Sequence, residues 1–394
     1  DSLAIESFKN SDTLFKQNYD LLDLHVKFNS RNTGRDTNKL RIKSWVDFHH
    51  LNSNYNLSEN HFLLGAHSGW LILDEEFLGT FELDINNVSS PDILELDENN
   101  IIQPSNQSSN TSGIVRFRPH IYSRKNNLIF KAGISLQANI NENAKFYVFP
   151  DLEVSYSLFN NVFIPYGGWV GNVQRNTFND IRLENPFISE DATLQNTVQK
   201  GNIFVGVRGS LSSKFTFNLS SSFKSLDSMY FFVPDTTSSY GNKFQMIYDN
   251  LSQTSFLAEL TYQELEKLKI SAKGEYFIYS PSNFSRAWQK PEFILTLSSI
   301  LDLSDKIVLK SDFYLVGKRE VFSYSEPESI YELEDDKFIY SLPTFVDMNI
   351  SAEYRYNKKV SAFIQFNNFT AKKYQYWQNF PVQSINILGG ITIS

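Results

Sequence analysis

Cysteine is absent from the 394 residues, which excludes disulfide frameworks, thiolate zinc sites, iron–sulfur clusters and cysteine nucleophiles. Basic residues are in deficit, 36 Lys and Arg against 44 Asp and Glu. The resulting net charge of -8 argues against a nucleic acid held by phosphate contacts. No run approaches the roughly 18 consecutive apolar residues of a transmembrane helix. That absence leaves one class of membrane protein untouched, because a membrane barrel is apolar only at every second position. Motifs of the G-x-S-x-G, Walker, H-E-x-x-H and G-x-G-x-x-G kinds are missing too. The expectation is a protein that is not an enzyme, with no catalytic, cofactor-binding or metal residues and no cofactor.

Aromatics, by contrast, make up 15% of the chain, with 34 Phe and 20 Tyr, an excess that points to β-structure or a membrane interface. Alternation is the dominant pattern. In Lys267–Tyr279, Leu268, Ile270, Ala272, Tyr276 and Ile278 oppose Lys267, Lys269, Ser271, Lys273 and Glu275. In Phe345–Asn357, Val346, Met348, Ile350, Ala352 and Tyr354 oppose Asp347, Asn349, Ser351, Glu353 and Arg355. Such a period of two marks the two faces of a strand. The segments are longer than the usual globular strand of about 5–6 residues and match the roughly 9–11 of a tilted membrane strand.

Seventeen strands follow from this pattern: Leu21–Phe28, Leu40–Phe48, Phe62–Leu73, Phe77–Ile85, Ile114–Tyr122, Leu128–Ala138, Lys145–Tyr156, Val162–Val170, Asn202–Leu211, Lys214–Tyr230, Phe244–Tyr262, Lys267–Tyr279, Pro291–Leu303, Lys306–Lys318, Phe345–Tyr356, Val360–Asn368 and Ile385–Ile393. Bacterial single-chain barrels have even strand counts, so a weak eighteenth strand is placed within Leu3–Phe15. Short connections alternate with long ones, among them Val88–Ser112, Arg175–Lys200 and Tyr324–Tyr340, as periplasmic turns alternate with outer loops. The fold class expected is all-β: a single transmembrane antiparallel β-barrel of about 14–18 strands with long extracellular loops. Residues 1–19 form an N-terminal segment and 20–394 the barrel.

Several residue groups invite a chemical reading. His50 and His61 flank Leu51–Asn60 and, with Glu59, could bind a metal such as zinc; wet polar residues on a sheet are the simpler account. Asp92, Glu95, Asp97 and Glu98, and then Glu332, Glu334, Asp335 and Asp336, are carboxylate clusters of the kind calcium prefers, without EF-hand spacing. Ser221-Ser222-Phe223-Lys224 spells S-x-x-K, but on a strand Ser221 and Lys224 fall on opposite faces. Asp312, Asp347 and Glu353, beside Lys310 and Arg355, read as a charge ladder on a wet wall. Trp45, Trp70, Trp169, Trp288 and Trp377 suit an interfacial aromatic girdle.

One further signal lies at the end of the chain. Phe366-Asn367-Asn368-Phe369, Lys372-Lys373-Tyr374, Tyr376-Trp377, Phe380-Pro381-Val382-Gln383 and Asn386–Thr392 resemble the last hairpin of TonB-dependent-receptor-type barrels of Bacteroidota. Pro165-Tyr166-Gly167-Gly168, Asn176 and Glu184-Asn185-Pro186-Phe187-Ile188 are similar to the plug-less members of that group. Because strands begin at about Leu21, the expectation is a barrel without a plug. The resemblance implies a Gram-negative outer-membrane location and a structural or accessory subunit of an outer-membrane complex, with the β-barrel assembly machinery as one setting. A passive porin, or a TonB-dependent-type transporter barrel lacking its plug, is the alternative. Expected partners are outer-membrane lipid and lipopolysaccharide, and other outer-membrane proteins or surface lipoproteins reached through the extracellular loops. Phe178, Phe187, Phe231 and Phe232 could pack inside and leave the barrel occluded.

Overall fold

The computed structural model describes residues 17–30, 41–72, 75–89, 94–96, 102–104, 109–141, 144–235, 242–265, 267–304, 306–322 and 339–393. Among them, seventeen strands belong to one antiparallel sheet. These are β1 (Tyr19–Asn29), β2 (Arg41–Ser53), β3 (Ser58–Ile72), β4 (Glu75–Ser89), β7 (Ser109–Lys125), β8 (Leu128–Ile140), β9 (Lys145–Tyr156), β10 (Ile164–Gln174), β11 (Thr197–Ser210), β12 (Phe215–Pro234), β13 (Phe244–Glu264), β14 (Leu268–Pro281), β15 (Phe293–Ser304), β16 (Ile307–Val316), β19 (Phe345–Arg355), β20 (Val360–Asn367) and β23 (Asn386–Ile393). Three two-stranded hairpins decorate the connections: β5 (Leu94–Leu96) with β6 (Ile102–Pro104), β17 (Arg319–Phe322) with β18 (Ile339–Leu342), and β21 (Gln375–Trp377) with β22 (Phe380–Pro381). Each of the seventeen expected segments overlaps one strand of the sheet. Leu3–Phe15, where an eighteenth was expected, lies outside the described residues.

The chain divides into two compact units: Asp1–Pro119 with Ser135–Val148 and Arg175–Gln195, and His120–Ile134 with Phe149–Gln174 and Asn196–Ser394. In the first, the register gives the two faces of the sheet at once. Leu24, Phe48, Phe62 and Ile85 line up across β1 to β4 on one face, and Asp23, His49, His61 and Asn86 on the other. In the second, Val207, Leu219, Ala258, Gly274, Leu295, Leu315 and Val346 form an apolar row from β11 to β19. The adjoining row on the opposite face reads Arg208, Asn218, Glu259, Lys273, Thr296, Tyr314 and Asp347. The apolar face is the exposed one, inverting the burial of a soluble sheet: Val205, Phe223, Phe256, Leu260 and Ile278 all lie open. No described helix is long and apolar enough to cross a membrane, which says nothing about crossing by strands.

Tight turns of the second unit at 157–163, 211–214 and 356–359 alternate with the longer 282–292, 317–344 and 368–385. The first of these turns places Phe159, Asn160 and Asn161 in succession in the left-handed region, at φ 49°, 55° and 69°. Strands β12 and β13 run to 20 and 21 residues, about twice the spanning length. Their extra turns build an apolar cluster of Leu226, Phe231, Val233, Leu251, Trp288 and Phe322. Trp288 and Trp377 are therefore buried, away from any girdle. Trp45 is displaced from it as well, because it shares the polar face with Asp47 and His49. Trp70 and Trp169 do lie exposed.

Trp45 stands on the polar face because its ring covers Gly65, its direct cross-strand partner. The same fit recurs three times. Phe204 covers Gly168, Tyr166 covers Gly206 and Phe363 covers Gly390, each on the directly paired residue, where a Cβ would come within 2.7 Å of a ring atom.

Candidate functional site

The connection after β10 folds back onto β2, β3 and β4 within the first unit. It opens with Arg175, and Asn176 closes its neck by donating from Nδ2 to the Gln195 carbonyl at 2.7 Å. A short helix follows, α1 (Phe178–Glu184), capped by Thr177, whose Oγ1 accepts from the Asp180 N–H at 3.0 Å. Asn185 ends the helix, its N–H returning to the Ile181 carbonyl at 2.8 Å. The resemblance-bearing Asn176, Asn185 and Ile188 thus have a shared physical role, which is to shape this loop. Phe178, Ile181 and Ile188 are buried in it, with Leu51, Leu57 and Ile114 in the core of the same unit.

Three polar ties hold the loop to the sheet. The first is Glu59, a carboxylate on β3 that is 0% exposed. It accepts from the Phe178 N–H at 2.8 Å, the Asn179 N–H at 2.9 Å and Asn86 Nδ2 at 2.8 Å. The opening N–H groups of a helix have no partner within it, and here a charged side chain from a strand supplies one. The second is Asp84 on β4, which meets Arg175 Nε at 2.9 Å, Arg116 Nη1 at 3.1 Å and His61 Nε2 at 3.0 Å. Arg175 also donates to the carbonyls of Asp84 at 3.0 Å and Ser112 at 3.3 Å. The third is Ser53 Oγ, which donates to Glu190 at 2.6 Å and accepts from the N–H groups of Tyr55 and Leu57. Arg182 rests over the Tyr19 ring, 4.9 Å from its centroid.

The metal reading of His50, His61 and Glu59 is overturned by this geometry. His49, not His50, pairs with His61, so His50 turns to the opposite face. Glu59 is committed to α1, and His61 to Asp84. No group of three or more His, Asp or Glu side chains among the described residues is arranged to hold a metal ion. Asp92, Asp97, Glu98, Glu332, Glu334, Asp335 and Asp336 lie outside the described residues. Ser221 and Lys224 sit three positions apart on β12, on opposite faces. Of the wall carboxylates, Asp312 accepts from Ser298 Oγ at 2.6 Å, Glu353 meets Arg355 Nε at 3.3 Å, and Asp347 accepts from the Tyr374 hydroxyl at 2.8 Å. Burial, reinforced by the bond to Asp347, pushes the Tyr374 phenol well above its ordinary range.

The second unit builds its own packing from the C-terminal motif. Asn368, at φ 47°, donates from Nδ2 to the carbonyls of Lys372 and Gln383, at 2.7 and 2.8 Å, and so ties both ends of the 368–385 connection. Trp377 packs against Phe232 and Phe244, with ring centroids at 5.2 and 5.7 Å. Arg319, 2% exposed, donates to the carbonyls of Gln375 and Tyr376. Phe231, Phe232 and Phe178 are all buried, though in two separate packings.

Solved structures similar to this chain include an outer-membrane receptor and other importers. The copper transporter OprC superposes at a TM-score of 0.65 with 11% identity, over 95% of this chain and 65% of that one. The pyoverdine receptor FpvA of Pseudomonas aeruginosa PAO1 gives 0.66 at 12% identity, over 96% of this chain and 62% of its own. The ferric-catecholate import receptor Fiu of E. coli K12 gives 0.63 at 9%, covering 96% and 64%. The likeness is one of fold, a large antiparallel sheet of the outer-membrane β-barrel kind. The chain spans less than two thirds of the length of these receptors. No family model and no curated sequence matches it.

The loop's side of the membrane is open to a direct check. A cysteine at the exposed Asp191 should react with an impermeant thiol reagent on intact cells, and the native chain contributes no background thiol. Labelling that requires permeabilised cells would invert the topology. Ser108 and Ser329, the equivalent positions in the other long connections, lie outside the described residues.

Proposed function

We propose that this chain is an integral β-barrel of a Gram-negative outer membrane, occluded by its own loop, which acts as a structural or accessory subunit of an outer-membrane complex. The observation that carries this reading is the fully buried Glu59 carboxylate, held by the first two N–H groups of α1 and by Asn86. A barrel of this strand number is too wide for wall side chains to fill, so a non-conducting one needs an element fixed across its polar face. The 175–195 connection is fixed to that face by three sets of polar contacts and three buried apolar side chains. The resemblance of Asn367–Gln383 to Bacteroidota barrels favours a partner among outer-membrane proteins or surface lipoproteins, the β-barrel assembly machinery included.

In a planar bilayer the purified protein should show no steady conductance, and a variant lacking Asn176–Gln195 should show channel steps. Steady conductance of the unaltered protein would promote the porin reading. Affinity purification in mild detergent should recover companion subunits; a chain recovered alone would remove the accessory role. The likeness over 95% of the chain to a copper transporter favours a second reading, a transporter barrel whose loop is a gate. Substrate-dependent uptake lost on deleting the chain would establish it.

A further inference from the structure

On the apolar face of the second unit, Gly274 is covered by no ring. A Cβ built at Gly274 would have only Leu295 Cδ1 within reach, at 4.0 Å. Gly274 pairs with Ala258 on one side and Leu295 on the other, and Ala258 pairs with Leu219. The adjoining row reads Phe217, Leu260, Ala272 and Leu297. The first row is thus small at its two middle positions, Ala258 and Gly274, and the second at Ala272, with leucines and Phe217 around them. The result is an open apolar trough of about 560 Å³ that runs from Leu211 and Phe163, beside the tight turns, to Ala258, Gly274 and Leu295.

Two observations identify what fills it. The first is its direction and length. Ala258 and Glu264 are six residues apart on β13, about 20 Å along a strand. At a tilt of about 45° that is about 14 Å of depth, one leaflet of a hydrocarbon core about 30 Å thick. The trough therefore follows the path of an acyl chain from the membrane surface to the midplane. The second is the charge at its rim. Lys214 Nζ lies 2.6 Å from Glu264 Oε1, and the Tyr262 hydroxyl donates to Glu264 Oε2 at 3.0 Å. The Lys214 and Glu264 side chains remain 47% and 44% exposed, so each can still meet a ligand charge of opposite sign.

We propose that this trough binds one acyl chain of a phospholipid with a phosphate–ammonium headgroup, the phosphate meeting Lys214 and the ammonium Glu264. The proposal rests on the membrane reading above. Bilayer lipid surrounds any barrel; the assignment here is a retained molecule at a defined place and in a defined leaflet, the one nearest the tight turns.

Native mass spectrometry of the protein purified in mild detergent provides the test, with phosphatidylethanolamine and phosphatidylglycerol added back as probes. The unaltered protein should retain one phosphatidylethanolamine. Filling the trough with Ala258→Leu and Gly274→Leu together should cut retention at least tenfold, while Gly274→Ala, which leaves the trough open, should keep it. Lys214→Gln with Glu264→Gln should abolish the preference for phosphatidylethanolamine over phosphatidylglycerol, and this pair leaves the apolar face intact if the filled variant fails to fold. Equal retention by the filled and unaltered proteins overturns the proposal, as does a detergent-soluble protein that carries no phospholipid or carries lipopolysaccharide instead. Phase partition separates the two levels: a chain that stays in the aqueous phase defeats the membrane reading itself, whereas a detergent-phase chain without bound phospholipid defeats only the trough.

Discussion

Ile350→Arg should largely abolish accumulation of folded protein in the outer membrane, while Ser351→Arg, one residue along, should leave it nearly unchanged. Ile350 is the central residue of β19 and pairs with Ser311 and Phe366 on the face shared with Phe313 and Met348. Ser351 pairs with Lys310 and Gln365 on the polar face. An Arg at the lipid-facing midplane of a barrel costs about 2–4 kcal/mol, and near the interfaces or on the inner wall much less. Heat-modifiable mobility on gels of outer-membrane fractions reads the outcome. The opposite ranking would place every facing assignment one residue out of register.

Arg175→Ala should release the 175–195 connection from the sheet. Arg175 and Asp84 are both almost wholly buried, with side chains 7% and 5% exposed. Removing one partner of a buried ion pair costs about 3–5 kcal/mol, because the other charge is left without its counterpart. Arg116 and His61 remain on Asp84 and offset part of that. The expected sign of release is faster tryptic cleavage at Arg182 in the detergent-solubilised protein. Arg175→Leu combined with Asp84→Leu should slow cleavage again in part, because both charges of the pair are gone while Arg116 keeps Glu82 at 3.7 Å. Identical cleavage rates for all three proteins would mean that the loop is held by its apolar residues alone.

The strands were legible because alternation is a local signal. Lys145–Tyr156 reads as a strand from its own twelve residues, and the structure places β9 over that same span. The polar ties of the loop were not legible in the same way. Glu59 and its partner Phe178 are 119 positions apart, and α1, with seven residues, is too short to show a helical stripe. His50 and His61 are symmetrical about Leu51–Asn60 in the sequence, but the turn itself is only 54–57 and its register pairs His61 with His49, one residue and one face away. Trp45 could have been placed correctly from the sequence, since it shares parity with Lys43, Asp47 and His49. Its seat over Gly65, by contrast, depends on a partner twenty positions away that only the register reveals.

The four rings laid over glycines have a consequence for how such a sheet is put together. Each joins residues directly opposite one another on paired strands, so the fit is tied to how those strands are aligned. A hairpin formed one step out would set Trp45 against Leu64 or Ala66, each with a Cβ, and carry the rest of that strand to the wrong face. The error would be felt within the two strands concerned, before any neighbour had joined them. Such a pair works as a notch and a tooth, letting each newly added strand test its own alignment.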